Sequence, residues 1–204
     1  ISKWSDKNPE WRIIDVLWDE NSKWNDVRSL ILEAWIRENF PDFVIEEASK
    51  LKFTQDENRI DLTKILTFTI DWDDARDLDD AISIEKSDKW YKLIVSIADV
   101  SNYVLEDSKL DKEALKRWNS TYLADRVIPM LPEKLSNDLC SLNANTKKLT
   151  LSCEILLDEK WFVKTSKVYN SVIKSSYRLT YKEVEKIFLK ELSIWDELSF
   201  WWLI

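Results

Sequence analysis

An unusual density of aspartates between residues 69 and 81 is the part of this sequence best suited to chemistry. The stretch reads TIDWDDARDLDDA, so the ten residues from Asp71 to Asp80 contain six acids and one arginine. Alternating apolar residues before and after it predict a strand on each side, which makes the stretch a loop between strands. If the loop folds back on itself, four of its carboxylates lie close together and raise one another's pKa.

A divalent cation removes this repulsion. Because the donors are all oxygens, with no histidine or thiolate among them, Mg²⁺ or Mn²⁺ is favoured over Zn²⁺. Two such ions can stabilise the attacking and leaving oxygens of a phosphoryl displacement. The candidate metal ligands and catalytic residues are Asp71, Asp77, Asp79 and Asp80. A solvated acidic loop that binds nothing is the alternative that charge density alone favours.

Two other acidic motifs fit the stretch less well. An EF-hand that starts at Asp71 needs glycine at its sixth position and glutamate at its twelfth, where this chain has Arg76 and Ile82. The sequence from Asp73 to Asp77 matches the D-D-x-x-D motif of isoprenoid synthases. That motif lies on long helices of an all-α fold, whereas β patterns flank it here, so an isoprenoid synthase is a remote alternative.

The composition excludes several other kinds of site. The 204-residue chain contains no histidine and no glycine but twelve tryptophans. Without histidine there is no Ser-His-Asp or Cys-His catalytic system and no histidine zinc site. Without glycine there is no P-loop and no glycine-rich dinucleotide-binding loop. Carboxylate chemistry remains.

The charge is unevenly distributed along the chain. The net charge is −8; residues 1–100 carry 14 basic and 23 acidic side chains, and residues 101–204 carry 16 and 15. A negative total argues against a nucleic-acid partner, but the acids are concentrated around the loop. No apolar run reaches the roughly 18 residues that a membrane span needs, and Cys140 and Cys153 lack Cys-x-x-Cys spacing. We expect a cytoplasmic protein with reduced thiols and no membrane association, and we expect it to be a monomer.

Hydrophobic periodicity and capping residues predict the elements that position the loop. Helices are predicted to begin at residue 25 or 26, weakly at 44, and after the capping sequences Ser108-x-x-Asp111 and Thr180-x-x-Glu183. Strands are predicted over residues 9–18, 65–70, 81–86, 91–100, 149–157 and 162–169, the last four as two hairpins. Antiparallel hairpins followed by helices indicate an α+β fold.

The acidic stretch and four further blocks resemble the signature sequences of the RNB family of exoribonucleases. Ile97–Val104 (IADVSNYV) is similar to the family block I-A-D-V-S-H-Y-V, and Leu110–Tyr122 to L-D-x-E-A followed by R-G-x-S-x-Y. Ile128–Asn143 (IPMLPEKLSNDLCSLN) is close to a word-for-word match, and Ser176–Val184 (SYRLTYKEV) resembles the next block. The blocks follow the family's order across residues 60–188, which makes the resemblance specific.

The resemblance implies an activity and a role for each matching residue. RNB enzymes degrade single-stranded RNA processively from its 3′ end and release nucleoside 5′-monophosphates. The family's four aspartates, which hold Mg²⁺ and the attacking water, correspond to Asp71, Asp77, Asp79 and Asp80. Asp73 and Asp74 fall outside the family pattern.

Tyrosines and basic residues complete the implied RNA site. Tyr122 corresponds to the tyrosine that stacks on the 3′-terminal nucleotide, a contact that tolerates any base, and Tyr181 to a second tyrosine near the substrate sugar. Taken alone, Tyr122 is better explained as a residue of the core. Arg126 and Lys134 are candidate phosphate contacts, and so are Lys147, Lys148, Lys174, Arg178 and Lys182, although a solvated surface explains each nearly as well.

The resemblance also implies a domain organisation. Residues 1–45 match the end of a cold-shock, OB-like RNA-binding domain, residues 46–62 a linker, and residues 63–204 the N-terminal part of the RNB catalytic domain, with mixed sheets and helices. Later family blocks hold an arginine, a glutamate and an aromatic of the active site, and they are absent here. We expect the chain alone to be inactive or nearly so, because an arginine that stabilises phosphoryl charge contributes several orders of magnitude in rate.

A second class of function stays open at this point. A non-catalytic RNA-binding or scaffold protein with a degenerate RNB site has the same blocks, although retention of all four aspartates argues against degeneration. The sequence does not determine whether ribosomes or other RNA-decay proteins are partners.

Tryptophan stands where the family pattern or turn chemistry has glycine, at positions 11, 18, 24, 35, 72, 90, 118 and 161. Asn102 likewise stands where the family has histidine. Several of these positions require a positive φ, which is costly for a bulky side chain. Our hypothesis is that tryptophan has systematically replaced glycine, and asparagine histidine.

Overall fold

A computed structural model describes residues 25–54 and 57–189 of the chain. Its helices are α1 (Asn25–Glu33), α2 (Asp42–Lys50), α3 (Lys109–Arg117) and α4 (Tyr181–Phe188), with a 3₁₀ turn at Val100–Asn102 and a π-helical segment at Lys134–Leu139. Its strands are β1 (Ile60–Asp61), β2 (Phe68–Asp71), β3 (Asp80–Lys86), β4 (Trp90–Ala98), β5 (Thr121–Tyr122), β6 (Val127–Ile128), β7 (Lys147–Asp158), β8 (Val163–Lys174) and β9 (Tyr177–Thr180).

Seven of these strands form one mixed sheet in the order β1-β8-β7-β4-β3-β2-β9, and β5 and β6 form a separate two-stranded ribbon. The β3–β4 and β7–β8 hairpins lie at the centre and pair antiparallel. The strands at the two edges, β1 and β9, pair parallel with β8 and β2. Parallel partners need long connections, so β9 returns beside β2 only after more than 100 intervening residues. This return brings the SYRLTYKEV block next to the acidic stretch.

One face of the sheet packs against α2 and α3 to form the main core. Its most buried side chains include Val44 and Ala48 of α2, Ile94 of β4, Leu110 of α3 and Leu135 of the π-helical segment, each at most 2% exposed. The spacing of four between the two α2 residues places them on one helix face. Burial of these aliphatic groups fixes the platform on which the loop rests.

Most predicted elements are present with small shifts of their ends, and the α+β class is confirmed. The Ser108 hydroxyl accepts from the Asp111 amide at 3.0 Å and caps α3, and Thr180 and Glu183 form the predicted capping box of α4. The strand predicted over 91–100 ends at Ala98. It ends there because the Asp99 carboxylate accepts from the Asn102 amide and caps a 3₁₀ turn instead.

The predicted domain boundary at residue 45 falls inside α2, which contributes both Val44 and Ala48 to the main core. The strand predicted over residues 9–18 lies outside the described residues. The described part of residues 1–45 contains α1 and the start of α2 and no strand. The OB-like domain therefore stays a prediction from the sequence.

Five described residues have a positive φ, and three of them are tryptophans: Trp35 at 54°, Trp118 at 72° and Trp161 at 64°. The expectation that several of these positions have a positive φ is confirmed at these three, in a region that favours glycine, and the replacement itself stays a hypothesis. Trp72 and Trp90 are not among the described residues with a positive φ. Trp90 is the first residue of β4, and its carbonyl accepts from the Ser87 amide at 2.9 Å across the preceding turn.

Both cysteines are free thiols, as predicted. Burial raises the pKa of the Cys140 thiol to about 12, which keeps it protonated and unreactive. Among the described residues no helix is long and apolar enough to cross a membrane.

Candidate active site

The acidic stretch forms the connection between two neighbouring antiparallel strands. Asp71 is the last residue of β2 and Asp80 the first of β3, and the two strands pair with Phe68 opposite Ile82. Residues 72–79 therefore form a loop at one end of the sheet, as predicted, and we call these residues the acid loop. The strand ends bring Asp71 and Asp80 together at its base.

The second half of the acid loop is held from below by the block that matched the RNB family almost word for word. Ser141 donates its hydroxyl to the Arg76 carbonyl at 2.7 Å and accepts from the Leu78 amide at 3.2 Å. The Leu142 amide donates to the Leu78 carbonyl at 2.9 Å, and the Leu78 side chain is 1% exposed. The sequence match to this block did not single out Ser141.

The first half of the acid loop is held from the side by β9 and α4. Arg178 donates one guanidinium nitrogen to the carbonyls of Trp72, Asp73 and Ala75. Lys182 makes a 2.6 Å ion pair with the Asp73 carboxylate. Both cations were candidate phosphate contacts, but the structure joins them to the protein's own loop.

The carboxylates at the base of the loop destabilise one another. Burial, together with the negative charges of Asp80 and Asp77, raises the pKa of Asp71, and the Arg178 guanidinium partly opposes the rise. Loss of hydration and the charges of Asp77, Asp80 and Asp71 raise the pKa of Asp79. The Asp71 Oδ2 atom is buried without a hydrogen-bond partner. Through their charges, Asp71, Asp77, Asp79 and Asp80 thus form one electrostatic cluster.

A divalent cation fits the donor chemistry of this cluster. Its donors are carboxylate oxygens, and a cation would satisfy the orphaned Asp71 oxygen and relieve the repulsion that raises the pKa of Asp71 and Asp79. Within the described ranges, however, no three acidic, histidine or cysteine side chains converge on one point in the arrangement of a formed metal site. The cluster has the right atoms but not a preassembled ligand sphere.

Tyr122 joins this cluster from a distant part of the sequence. Its hydroxyl donates to Asp77 Oδ2 at 2.6 Å, although the ring is 66% exposed. The hydrogen bond to Asp77, with burial and the Asp77 and Asp79 charges, raises the pKa of Tyr122 to about 12. The ring thus presents a flat apolar face to solvent directly beside the acid loop.

The β5–β6 ribbon that carries Tyr122 is anchored by a buried ion pair. Glu113 is 2% exposed and pairs with Arg117 at 3.2 Å, and Arg117 also donates to the carbonyls of Arg37, Asn39 and Pro129. A charge buried in this way must be paired to be tolerated. Segment 37–39 and the residue after β6 are therefore fixed to the end of α3.

Tyr181 reaches the acid loop through another aromatic ring. It is the first residue of α4 and is half exposed. Its ring meets the Trp72 ring edge to face, with centroids 5.1 Å apart. Tyr122 and Tyr181 therefore both contact the acid loop, one through a carboxylate and the other through the Trp72 ring.

Arg126 and Lys134 lie elsewhere, on the rim of a groove of about 730 Å³ whose walls include Phe40 and Pro132. Arg126 pairs with Asp125 at 2.7 Å and with Glu38 at 3.4 Å, and Lys134 pairs with Asp138 at 2.6 Å. Another candidate phosphate contact, Lys148, is buried and donates to the Asp138 carbonyl. The structure thus places these cations in ion pairs away from the acid loop.

The family model of the RNB domain matches residues 59–198. The chain belongs to the RNB family. The match covers every site residue from Asp71 to Tyr181, and it confirms the resemblance found in the sequence blocks. It also overturns the isoprenoid-synthase alternative, because the RNB chain builds its acidic motif into a mixed sheet rather than onto long helices.

Relatives of this RNB chain are ribonucleases. It is 41% identical over 186 residues to ribonuclease R 2 of Lactococcus lactis, covering 89% of the chain and 28% of the relative. It is 44% identical over 198 residues to ribonuclease R of Thermotoga maritima, covering 94% and 28%. The chain therefore spans less than a third of the length of these curated relatives.

Solved structures show the same fold. Ribonuclease R of Mycoplasma genitalium in complex with ribose-methylated single-stranded RNA matches with a TM-score of 0.82 and 35% identity, over 85% of this chain and 28% of that one. Yeast Ssd1, described as a pseudonuclease, matches with a TM-score of 0.59 at 24% identity over 65% of this chain and 17% of that one. This second likeness concerns the fold alone, but it means that an RNB fold does not by itself make a nuclease.

Proposed function

We propose that this chain is part of a processive 3′-to-5′ exoribonuclease that hydrolyses single-stranded RNA and releases nucleoside 5′-monophosphates with the help of Mg²⁺ or Mn²⁺. The observation that carries the proposal is the contact between Tyr122 and Asp77. An exposed aromatic ring is held by its own hydroxyl against one of four clustered aspartates. A base stacked on that ring brings its phosphate to the acid loop.

The two tyrosines support RNA as the substrate. Base stacking on an aromatic ring contributes about 1–3 kcal/mol per base and does not depend on sequence. Tyr122 would stack on the terminal nucleotide and Tyr181 would lie near its sugar. Relatives solved with single-stranded and with double-stranded RNA agree with an RNA substrate.

The aspartates support metal assistance. Asp71, Asp77, Asp79 and Asp80 would hold the cation, which supplies positive charge at the scissile phosphate. The chain's own residues position this set, since Ser141 and Arg178 fix the loop backbone. Tyr122 orients Asp77 through its hydroxyl.

The other parts of the proposal concern the whole protein. We propose that the protein works in the cytoplasm as a monomer, with an OB-like cold-shock domain before residue 46 and the RNB catalytic domain after residue 62. The 204 residues alone are expected to hydrolyse RNA weakly or not at all. Steady processive degradation of a 5′-labelled oligoribonucleotide by the purified chain would contradict that expectation.

Manganese binding tests the catalytic proposal against a non-catalytic RNA-binding role. Titration of the chain with Mn²⁺, followed by electron paramagnetic resonance, is expected to give saturable binding that Asp71→Asn weakens tenfold or more. Asp73→Asn is the matched control, because it removes the same charge from the same loop at a carboxylate already paired with Lys182. It should change the affinity less than twofold.

Two results would count against the catalytic proposal. Absence of Mn²⁺ binding at millimolar concentrations favours the non-catalytic alternative, because a scaffold needs no cation at this loop. Equal weakening by Asp71→Asn and Asp73→Asn means that the loop attracts Mn²⁺ only through its overall charge.

A further inference from the structure

We propose that Arg178 is a positioning residue: its guanidinium fixes the backbone of residues 72–75, the segment that joins Asp71 to the half of the acid loop that carries Asp77. One consequence of this inference, an effect of Arg178 on cation binding, rests on the proposed function. The hydrogen bonds that carry it are independent of that function.

Three carbonyl oxygens of one turn converge on the same guanidinium nitrogen. Arg178 Nη2 lies 3.2 Å from the Trp72 oxygen, 3.0 Å from the Asp73 oxygen and 2.7 Å from the Ala75 oxygen. The turn is closed by one backbone hydrogen bond, from the Ala75 amide to the Trp72 carbonyl at 3.1 Å. A cationic donor suits this place because the carbonyl dipoles point their negative ends at one another.

The sheet register explains why the residue is an arginine. In the parallel pairing of β2 with β9, Arg178 lies beside Thr69 and Thr180 beside Asp71. The strand therefore ends two residues further along, at Asp71, a distance of about 6.6 Å, and the acid loop begins at the next residue. A long side chain that runs along the strand direction spans this distance.

The element that carries Arg178 is itself well fixed. Strand β9 is paired along its whole length with β2, and the Thr180–Glu183 capping box turns the chain into α4 immediately after it. A group mounted on a paired strand is held more precisely than one on a loop. The guanidinium therefore holds the first half of the acid loop at a fixed position relative to the sheet.

Arg178 and Ser141 act on different halves of the loop. Ser141 holds the second half through Arg76 and Leu78, and Arg178 holds the first half. The first half is also contacted by the Tyr181 ring, at Trp72, and by Lys182, whose ion pair with Asp73 is solvent-exposed on both sides. Exposed pairs of this kind are weak, so the order of residues 72–75 depends chiefly on Arg178.

Loss of the Arg178 guanidinium is expected to change the order of the acid loop rather than the stability of the whole domain. Arg178 is an exposed residue, so it adds little to the overall stability of the domain. The competing role is a direct contact to an RNA phosphate. That role requires binding of RNA to depend on Arg178, whereas the order of the loop without RNA would not depend on it.

The test compares Arg178→Met with Lys182→Met. Both variants replace a long cation by a long apolar side chain, and both cations contact the same loop. We expect Arg178→Met to speed hydrogen exchange of amides 73–76 at least fivefold and to weaken Mn²⁺ binding about tenfold, the effect of losing a group that orients metal ligands. Lys182→Met should change both quantities less than twofold, and Arg178→Lys should restore part of the exchange protection.

A second control separates positioning from general destabilisation. Val184 of α4 packs against the small core cluster below β9, so Val184→Ala loosens the same corner without touching the loop. If Val184→Ala speeds exchange and weakens Mn²⁺ binding as much as Arg178→Met does, the positioning role is wrong. It is also wrong if Arg178→Met leaves exchange unchanged and weakens only RNA binding. If the parent chain binds no Mn²⁺, the proposed function fails, and the exchange measurement alone decides the role of Arg178.

Discussion

Replacement of Trp118 by glycine is expected to stabilise the protein relative to replacement by alanine. Trp118 ends α3 with φ 72° and ψ −42°, a conformation that a side chain with a Cβ atom enters only under strain. Such strain costs about 1–3 kcal/mol. Alanine keeps the Cβ atom and therefore the strain, whereas glycine removes it.

The expected magnitude follows from two opposing effects. Relief of strain favours glycine by about 1–3 kcal/mol, and the greater freedom of glycine in the unfolded chain favours alanine by about 0.4–1 kcal/mol. The ring is 80% exposed, and both variants lose it, so its few contacts cancel. The free energy of unfolding of Trp118→Gly should exceed that of Trp118→Ala by about 0.5–2 kcal/mol. For a chain of this size, the difference corresponds to roughly 1–8 °C in melting temperature.

Trp90 supplies the matched control. It opens strand β4 and lies outside the described positive-φ residues. Without strain to relieve, Trp90→Gly should be less stable than Trp90→Ala by about 0.4–1 kcal/mol. The difference between glycine and alanine should therefore have opposite signs at the two positions.

Urea denaturation of the four variants, followed by far-ultraviolet circular dichroism, measures both differences. The reasoning is refuted if the glycine variant is more stable than the alanine variant at both positions 118 and 90, or less stable at both. Trp161 offers a graded third case, because its ring stacks on Tyr91 with centroids 4.3 Å apart. Glycine there forfeits a stacking contact worth about 0.5–1.5 kcal/mol, so its advantage over the parent chain should be smaller than at Trp118.

Two further predictions concern the site, and a third concerns the Asp99 carboxylate that caps the 3₁₀ turn. Tyr122→Phe keeps the stacking ring but removes the hydroxyl that donates to Asp77, so the affinity for Mn²⁺ should fall about tenfold. The affinity for a single-stranded oligoribonucleotide should stay within twofold of the parent value. Titrations of the parent chain and the variant with Mn²⁺ and with the oligoribonucleotide measure the two affinities. Ser141→Ala leaves the buried Leu78 amide without its acceptor and should lower the free energy of unfolding by about 1–3 kcal/mol in urea titrations. Burial acts to raise the pKa of Asp99, but hydrogen bonds from neighbouring side chains outweigh it and lower the pKa. The contribution of the ionised Asp99 carboxylate to the free energy of unfolding should therefore be complete at neutral pH and be lost as the pH falls below about 4. In acid denaturation, the free energy of unfolding of Asp99→Asn should therefore fall less steeply with decreasing pH than that of the parent chain.

The local elements were largely predictable because local signals specify them. Helix α3 follows from its Ser108 cap and its hydrophobic face, and the β7–β8 hairpin follows from two alternating runs around a short turn. The same is true of the backbone at Trp118 and Trp161, where the expectation of a glycine conformation came from turn position alone. The same turn signal does not coincide with a positive φ at Trp90, because this first residue of β4 pairs with Asp158 in the extended sheet.

By itself, the sequence determined the four aspartates, the loop that carries them, their oxygen-only chemistry and the order of the RNB blocks. Only the tertiary structure decided which distant residues serve that loop. Tyr122 reaches Asp77 across 45 positions, and Arg178 reaches Ala75 across 103, because ribbon placement and the parallel β2–β9 pairing create these contacts. The structure likewise decided that Arg178, Lys182 and Lys148 bind the protein's own oxygens rather than lie open for phosphate. The spacing of residues in the sequence predicts local conformation. The hydrogen-bond partner of a long cationic side chain depends instead on which strands pair in the folded sheet.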